Sequence, residues 1–360
     1  MRKIITILPF KWNFDKKFFN KDIIQIWRTF MVEKKFISEF WAINNNEKLI
    51  EFNYLGQKWR WFKSFFSIII NLIKEWKKIN LLHLYHIWRH PFTLWVIYKL
   101  VNPKWKIYLK TDVSYRSTNW KIILNFNKYV LNIYYYIFNY IWFEDKVMLK
   151  NAKKRFPKYK NKFYYIPSWT IYSKKYDWKL NKKNIISLCW RFWDKIKNYE
   201  LLINTLKEYN IDFLKDWKIY FIWEYTDNFL EKINHLITKK PELKNIIRLK
   251  WFITNKDNLY KLLSESKIFI HTANSEWEPN VQFDSMFCWC YMISTDVWTI
   301  RSNYPKQFSS FIEINDKEWL LKKLKSSINK IDNINYNNIQ NHCIENFVWK
   351  KSLKVLLDKF

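Results

Sequence analysis

The chain has 360 residues, 49% of them apolar, which is enough for two cores of about 170 residues each and excludes a disordered or fibrous polypeptide. Its net charge of +31 invites a nucleic-acid or membrane reading, but 54 of the 63 basic residues are lysine, and Asn, Ile, Tyr and Phe are also abundant. That joint enrichment is the mark of AT-rich codons, and no RNA-binding motif accompanies it, so nucleic acid is not an expected partner.

The opening run, MRKIITILPF, is too short for the apolar part of a signal peptide and lacks a small-residue cleavage site; it reads as a first buried strand. Helix-like DIIQIWRTFMVEKKF follows, then the strand LLHLYHI with the helix PFTLWVIYKLV, and the strand KIYLKTD with the helix KIILNFNKYVLNIYYYIF. The longest apolar stretch, residues 129–143, is interrupted by Asn132 and Asn139 and falls short of the ~20 residues of a membrane span, so it reads as a packed helix running into a strand. After KFYYIPSW, residues 162–169, the rhythm restarts more cleanly. Strands NIISLCW, KIYFIW, NIIRLKWF, KIFIHTA and YMISTD alternate with helices NYELLINTLKEY, DNFLEKINHLI, NLYKLLSES and VQFDSMFC.

Such alternation means α/β architecture with parallel strands. Two Rossmann-like domains facing each other across a cleft are expected, at residues 1–166 and 167–345, with ligands outside the carboxyl ends of the strands. A terminal helix, residues 346–360, is expected to pack back on the first domain. Cys189, Cys288, Cys290 and Cys343 show no paired metal spacing; they read as small buried residues in a reducing cytoplasm, and no metal site is expected.

One compositional feature has no ordinary explanation. At the usual ~7%, about 25 glycines are expected, yet the chain has one, Gly56, and 23 tryptophans. In HTANSEWEPNVQFDSMFCWCYMISTDVWTI, Trp277, Trp289 and Trp298 occupy turn positions, and Trp105 and Trp217 each sit just before a strand, where positive φ favours glycine. Most tryptophans therefore read as glycines of the working protein, encoded by UGA and rendered as Trp. Trp95 and Trp349 lie in helical apolar patterns and read as genuine.

Polar groups collect at strand ends in the second half. Arg191 directly follows a buried strand and Lys197 opens the next helix, two cations suited to a phosphate. Glu276 ends another strand; Pro279 suits a first helical turn, so the amides of Asn280 and Val281 point at a ligand. Asp284 lies about two turns beyond Glu276, and paired carboxylates accept hydrogen bonds from hydroxyls, which suits sugar rings. Asp296 ends the next strand and adds support.

These segments resemble the group 1 glycosyltransferases, family 4, whose fold is GT-B. SEWEPNVQFDSMFCWCYMISTDVW is similar to the family's S-x-x-E-G-x-P-x-x-x-x-E-A-M-A-x-G-x-P-V-I-x-T-D-x-G, and all three tryptophans fall on its glycines. CWRFWDKIKNYELLI resembles its G-R-x-x-x-x-x-K-G-x-x-x-L-I. The resemblance covers most of residues 162–300. It implies that Arg191 and Lys197 neutralise the diphosphate of a nucleotide sugar, that Glu276 with the amides of Asn280 and Val281 holds the transferred sugar, and that Asp284 binds the ribose, one methylene shorter than the usual Glu.

The first half is only loosely similar. His83, His86 and His90 in LLHLYHIWRHPF are candidates on the acceptor side, Asp112 stands where many members have a catalytic His, and Trp12 read as Gly forms a first phosphate-facing loop. Glu276 and Asp112 are thereby the catalytic candidates. The implied reaction is sugar transfer with retention from a nucleotide diphosphate sugar to a hydroxyl acceptor, without a cofactor or a required metal. A lipid-linked or polysaccharide acceptor at the anionic inner face of the membrane fits a basic, aromatic first domain. The rival readings are a non-catalytic binding protein, either a basic binder of nucleic acid or an aromatic binder of carbohydrate, and a transferase that binds donor without turning over.

Overall fold

A computed structural model of the chain describes residues 3–11, 37–43, 53–54, 57–85, 89–104, 106–111, 128–144, 146–166, 181–251, 253, 255–276, 280–348, 351, 353, 354 and 358. The chain forms two units, Met1–Ile171 with Trp349–Phe360, and Tyr172–Val348.

In the first unit the apolar runs form strands β1 (Lys3–Lys11), β2 (Ile37–Ile43), β3 (Asn53–Tyr54), β4 (Gln57–Phe62), β5 (Leu81–Tyr85), β6 (Lys106–Thr111), β7 (Tyr140–Phe143) and β8 (Phe163–Tyr165). The sheet order is β3-β4-β2-β1-β5-β6-β7-β8, and every pairing is parallel except that of β3 with β4. Ile4, Ile5 and Ile7 of β1 have no exposed surface, as expected of a central parallel strand covered on both faces. Helices α1 (Phe65–Glu75), α2 (Arg89–Val101), α3 (Lys128–Ile137) and α4 (Lys146–Arg155) supply crossovers. Ser64 caps α1: its hydroxyl accepts from the Ser67 amide while the Ser67 hydroxyl accepts from the Ser64 amide, a reciprocal box that fixes the helix start.

Residues 129–143 divide as their two asparagines suggest, into α3 and β7, and Asn139 between them accepts from the Ile107 amide at 2.9 Å. No helix among the described residues is long and apolar enough to cross a membrane. Strands β2 and β4 were not expected, because ISEFWAI and QKWRWF carry charges at positions a central strand rarely tolerates. The structure accounts for them: Glu39, 6% exposed, is paired with Lys3 at 2.9 Å and accepts from the Trp41 indole at 3.0 Å. The helix expected at DIIQIWRTFMVEKKF, with Trp12, lies outside the described residues.

The second unit holds β9 (Lys183–Cys189), β10 (Lys218–Ile222), β11 (Ile247–Lys250), β12 (Ser266–His271), β13 (Tyr291–Thr295) and β14 (Ser309–Ile312), all parallel, in the order β11-β10-β9-β12-β13-β14. This is the doubly wound 3-2-1-4-5-6 arrangement, and it places the reversal of strand order between β9 and β12. The helices are α5 (Glu200–Glu208), α6 (Asp227–Lys239), α7 (Lys256–Glu265), α8 (Asn280–Phe287), α9 (Trp298–Asn303), α10 (Lys317–Lys330) and α11 (Tyr336–Asn346). Helix α11 ends at Asn346, where the terminal helix was expected to begin.

Three non-glycine residues among those described have positive φ: Asn198 at 49°, Trp289 at 58° and Asn315 at 64°. Trp289 ends α8. Its amide donates to the Met286 carbonyl at 3.1 Å and the Cys290 amide to the Ser285 carbonyl at 2.9 Å, the hydrogen-bond pair of a Schellman stop whose left-handed residue is usually glycine. By contrast Trp298 opens α9 and Trp217 closes a turn without positive φ, so neither needs glycine for its backbone here. All four cysteines are free and buried, and burial raises their thiols, Cys189 to about 12.

Candidate functional site

The site grows from the two strands that flank the reversal. After β9 the chain turns through Trp190 and Arg191; the Asp194 amide donates to the Arg191 carbonyl, and Asp194 Oδ1 accepts from the Ile196 amide at 3.1 Å, fixing a single turn at Lys195–Lys197. Asn198 then takes the left-handed conformation that Asn tolerates best. Its side-chain amide donates to Asn274 Oδ1 and Asn315 Oδ1, each at 2.9 Å. The Thr272 hydroxyl donates to the Lys197 carbonyl at 3.1 Å and the Asn274 amide to the Ile196 carbonyl at 2.8 Å. The loops after β9 and β12 are thus bound together by three polar contacts, and the fourth ties Asn198 to the loop after β14.

This frame brings Lys197 and Glu276 together. Lys197 Nζ pairs with Glu276 Oε1, the side chains being 15% and 9% exposed. His271, last residue of β12, places Nε2 3.2 Å from the same oxygen and Nδ1 3.3 Å from the Ser294 hydroxyl. Burial works to raise the Glu276 carboxyl, but the His271 hydrogen bond and the Lys197 ammonium outweigh it and hold the group down to about 2. Burial also lowers His271, an effect only partly offset by Glu276. A neutral His271 beside an ionised Glu276 carries its proton on Nε2 and donates it to the carboxylate, while Nδ1 faces the Ser294 hydroxyl, which itself donates to the Thr295 carbonyl at 2.9 Å.

The other expected cation sits apart. Arg191 is exposed and pairs with Asp194 at 3.1 Å. Trp190 is buried with its ring edge-on to His271 at 5.4 Å between centroids, and its indole N–H has no partner among the described residues.

Asp284 is held from α7. Asn255 caps that helix, accepting from the Asp257 and Asn258 amides, and Lys256 and Tyr260 follow one turn apart on the same face. The Asp284 carboxylate accepts from Lys256 Nζ and from the Tyr260 hydroxyl, both at 2.5 Å. Asn280 opens α8 exposed, Val281 is half-buried, and residues 277–279 lie outside the described residues. Gln282 is fully buried, with neither amide atom partnered among the described residues.

Sequence reasoning missed His271, Lys256, Tyr260 and the Asn198–Asn274 contact. His271 carried a usable signal, as the polar last residue of an apolar strand at the ligand-facing edge; the Lys256–Tyr260 spacing gains meaning only once Asp284 is placed. In the first unit His83, an acceptor-side candidate from the sequence, is an interior residue. It lies within β5 with no exposed surface, its Nδ1 3.3 Å from the Thr6 hydroxyl and its ring 4.9 Å from Tyr108, and burial drives its pKa well below the usual range. His90 lies in the first turn of α2, its side chain outside the described residues, as are His86 and Asp112 altogether. Among the described residues no group of three His, Cys, Asp or Glu side chains is arranged to hold a metal ion.

No protein-family model matches the chain, and no curated protein matches it. Solved structures do. A glycosyltransferase from Rickettsia africae matches with a TM-score of 0.72 at 13% identity, over 99% of this chain and 97% of that one. The lipopolysaccharide outer core galactosyltransferase WaaB matches at 0.70 and 11%, and Anabaena HepE in complex with UDP at 0.70 and 10%, each over the full length of both chains. The chain has the GT-B fold. Within this GT-B fold the Lys197–Glu276 pair belongs to the second unit and sits at its strand-order reversal, the position at which open α/β sheets take ligands.

Proposed function

We propose that the protein is a retaining glycosyltransferase of the group 1 type, moving a sugar from a nucleotide diphosphate sugar to a hydroxyl acceptor. The observation that carries this reading is the Lys197–Glu276 pair at the reversal, beside the first turn of α8.

The geometry suggests an exchange. The Lys197 ammonium neutralises Glu276. An arriving diphosphate competes for that ammonium and frees the carboxylate to accept from hydroxyls of the transferred sugar, while His271 holds the carboxylate's orientation. The Arg191–Asp194 pair is exposed and worth at most about 1 kcal/mol, so Arg191 swings to the diphosphate at little cost. As the bond to the sugar breaks, negative charge grows on the leaving diphosphate. In this reading Arg191, Lys197 and the Asn280 and Val281 amides stabilise it, the form of catalysis that is usually the largest single contribution. Asp284, held by Lys256 and Tyr260, is assigned to the ribose hydroxyls. This set of cations leaves no need for a metal, and activity in the presence of a chelator is the expected result.

The acceptor is proposed as a lipid-linked or polysaccharide hydroxyl at the anionic inner face of a membrane. The likeness to WaaB, named for lipopolysaccharide, supports that choice, as does the basic charge. We further propose that glycine stands at Trp289 and at most of the other turn tryptophans in the working protein, Trp190, Trp193, Trp277 and Trp298 among them, from UGA read as Gly. The left-handed backbone of Trp289 and the buried indoles of Trp190 and Trp289, without a partner among the described residues, support it. Sequencing by mass spectrometry of the protein from its own source tests the recoding; Trp found at position 289 refutes it.

The functional test is calorimetric titration with UDP, GDP and ADP, followed by transfer assays with the matching nucleotide sugars. Binding of one nucleotide, lost in Arg191→Ala, is the expected result. Binding of none by a folded protein removes the transferase reading.

A further inference from the structure

Helix α1 of the first unit is apolar on two opposite sides. Seven of its eleven residues, FFSIIINLIKE, are hydrophobic. Ile68 and Leu72 account for the inner side, both with no exposed surface. The outer side carries Phe66, Ile70 and Ile73, which remain 68%, 38% and 43% exposed. These three are spaced i, i+4, i+7 and therefore form one stripe along α1. A surface helix ordinarily turns polar residues to water at those positions, so the stripe calls for a cover of its own.

The charges around it say what kind. Lys63 precedes the helix, Lys74 lies in its last turn, and Lys77 and Lys78 follow directly; all four are exposed. The acidic residue of this segment, Glu75, is engaged by Lys3 at 2.9 Å and by Arg60, so it does not offset them. The C-terminal end of α2 meets the same end of α1, Asn102 donating to the Trp76 carbonyl at 3.1 Å, and it adds the exposed Leu100 and Lys104. An apolar stripe with an aromatic at one end and a collar of lysines is the pattern of a helix lying in the plane of a lipid headgroup layer, apolar side chains inserted and ammonium groups at the phosphates. A second copy of this chain fits worse, because two such faces would bring their lysine collars together.

We infer that the outer face of α1, centred on Phe66, Ile70 and Ile73, is a docking surface for an anionic lipid bilayer. The inference deepens the membrane reading proposed above by naming the surface, and it stands apart from the donor site, which lies in the other unit.

The test is flotation of the full-length protein with vesicles of phosphatidylcholine mixed with phosphatidylglycerol, against vesicles of phosphatidylcholine alone. Roughly tenfold more protein is expected on the anionic vesicles, falling with added salt. Phe66→Ser with Ile70→Ser should abolish most of that binding, as should Lys74→Glu with Lys77→Glu. These side chains are exposed, so circular dichroism melts should match the parent. Absence of binding, binding unchanged in both double variants, or equal binding to the two vesicle types each overturns the inference. So does light scattering that finds a dimer which Ile70→Ser dissociates. UDP titration of the same proteins separates the two readings: vesicle binding without nucleotide binding sinks only the transferase reading, and the reverse sinks only the docking surface.

Discussion

Taking Lys197 away strands a carboxylate. Among the described residues Glu276 would then keep only a neutral imidazole beside a side chain that is 9% exposed, and breaking a buried pair costs about 3–5 kcal/mol. Lys197 retains 15% of its own exposure, so Lys197→Ala should fall at the lower edge of that range, read as a shifted urea midpoint with unchanged slope. Acid probes the same pair. The Glu276 carboxyl sits at about 2 in the folded chain against an ordinary 4.5, so the stability it contributes is present above 4.5 and is lost as pH falls through 2. His271 is lowered below 6.5, so its contribution is present above 6.5 and is lost as pH falls through its folded value. Stability should therefore begin to fall on acidification below 6.5, and Lys197→Ala should flatten the part between 4.5 and 2. Trp289→Gly is decided by sign. Truncating a buried Trp costs about 3–5 kcal/mol, and relief of a left-handed backbone returns only ~1–2. A chain built around tryptophan loses stability in this variant, whereas a chain built around glycine gains it.

At the scale of elements, α7 matters because it presents Lys256 and Tyr260 to Asp284 from its first turns. Asn255→Ala removes two capping bonds at its start and should cost about 1 kcal/mol, with weaker nucleotide affinity from a loosened Lys256; a melt and a UDP titration read the two effects. The elements of the second unit up to β13 were legible in the sequence because each strand is a short apolar run bounded by a helix of clear 3.6-residue period. Strands β2 and β4 were not, since Glu39 makes sense in a core only with Lys3, 36 positions away, and Arg60, and such long-range compensation leaves no local trace. The site was half legible. Lys197, Glu276 and Asp284 stood out as charges at strand ends and on a helix, while the staples that align them are ordinary asparagines until the loops are brought together.

On the scale of the whole molecule, the two units are alike in plan and unlike in content. Each has a parallel sheet, broken in the first unit only by the antiparallel β3–β4 pair, but the Lys197–Glu276 and Lys256–Asp284 pairs belong to the second and the lysine-collared helix to the first. The cysteines are just as unevenly shared: Cys189, Cys288, Cys290 and Cys343 all fall within Tyr172–Val348, all are buried, and burial keeps all four protonated. A thiol reagent therefore meets no target until that unit opens. Pulsed alkylation along a denaturant series should leave the native protein unmodified and then mark the four sites together, at a midpoint that Lys197→Ala lowers and the Phe66→Ser, Ile70→Ser double variant leaves in place. The distribution of four sulfur atoms gives the chain a chemical clock for one of its halves.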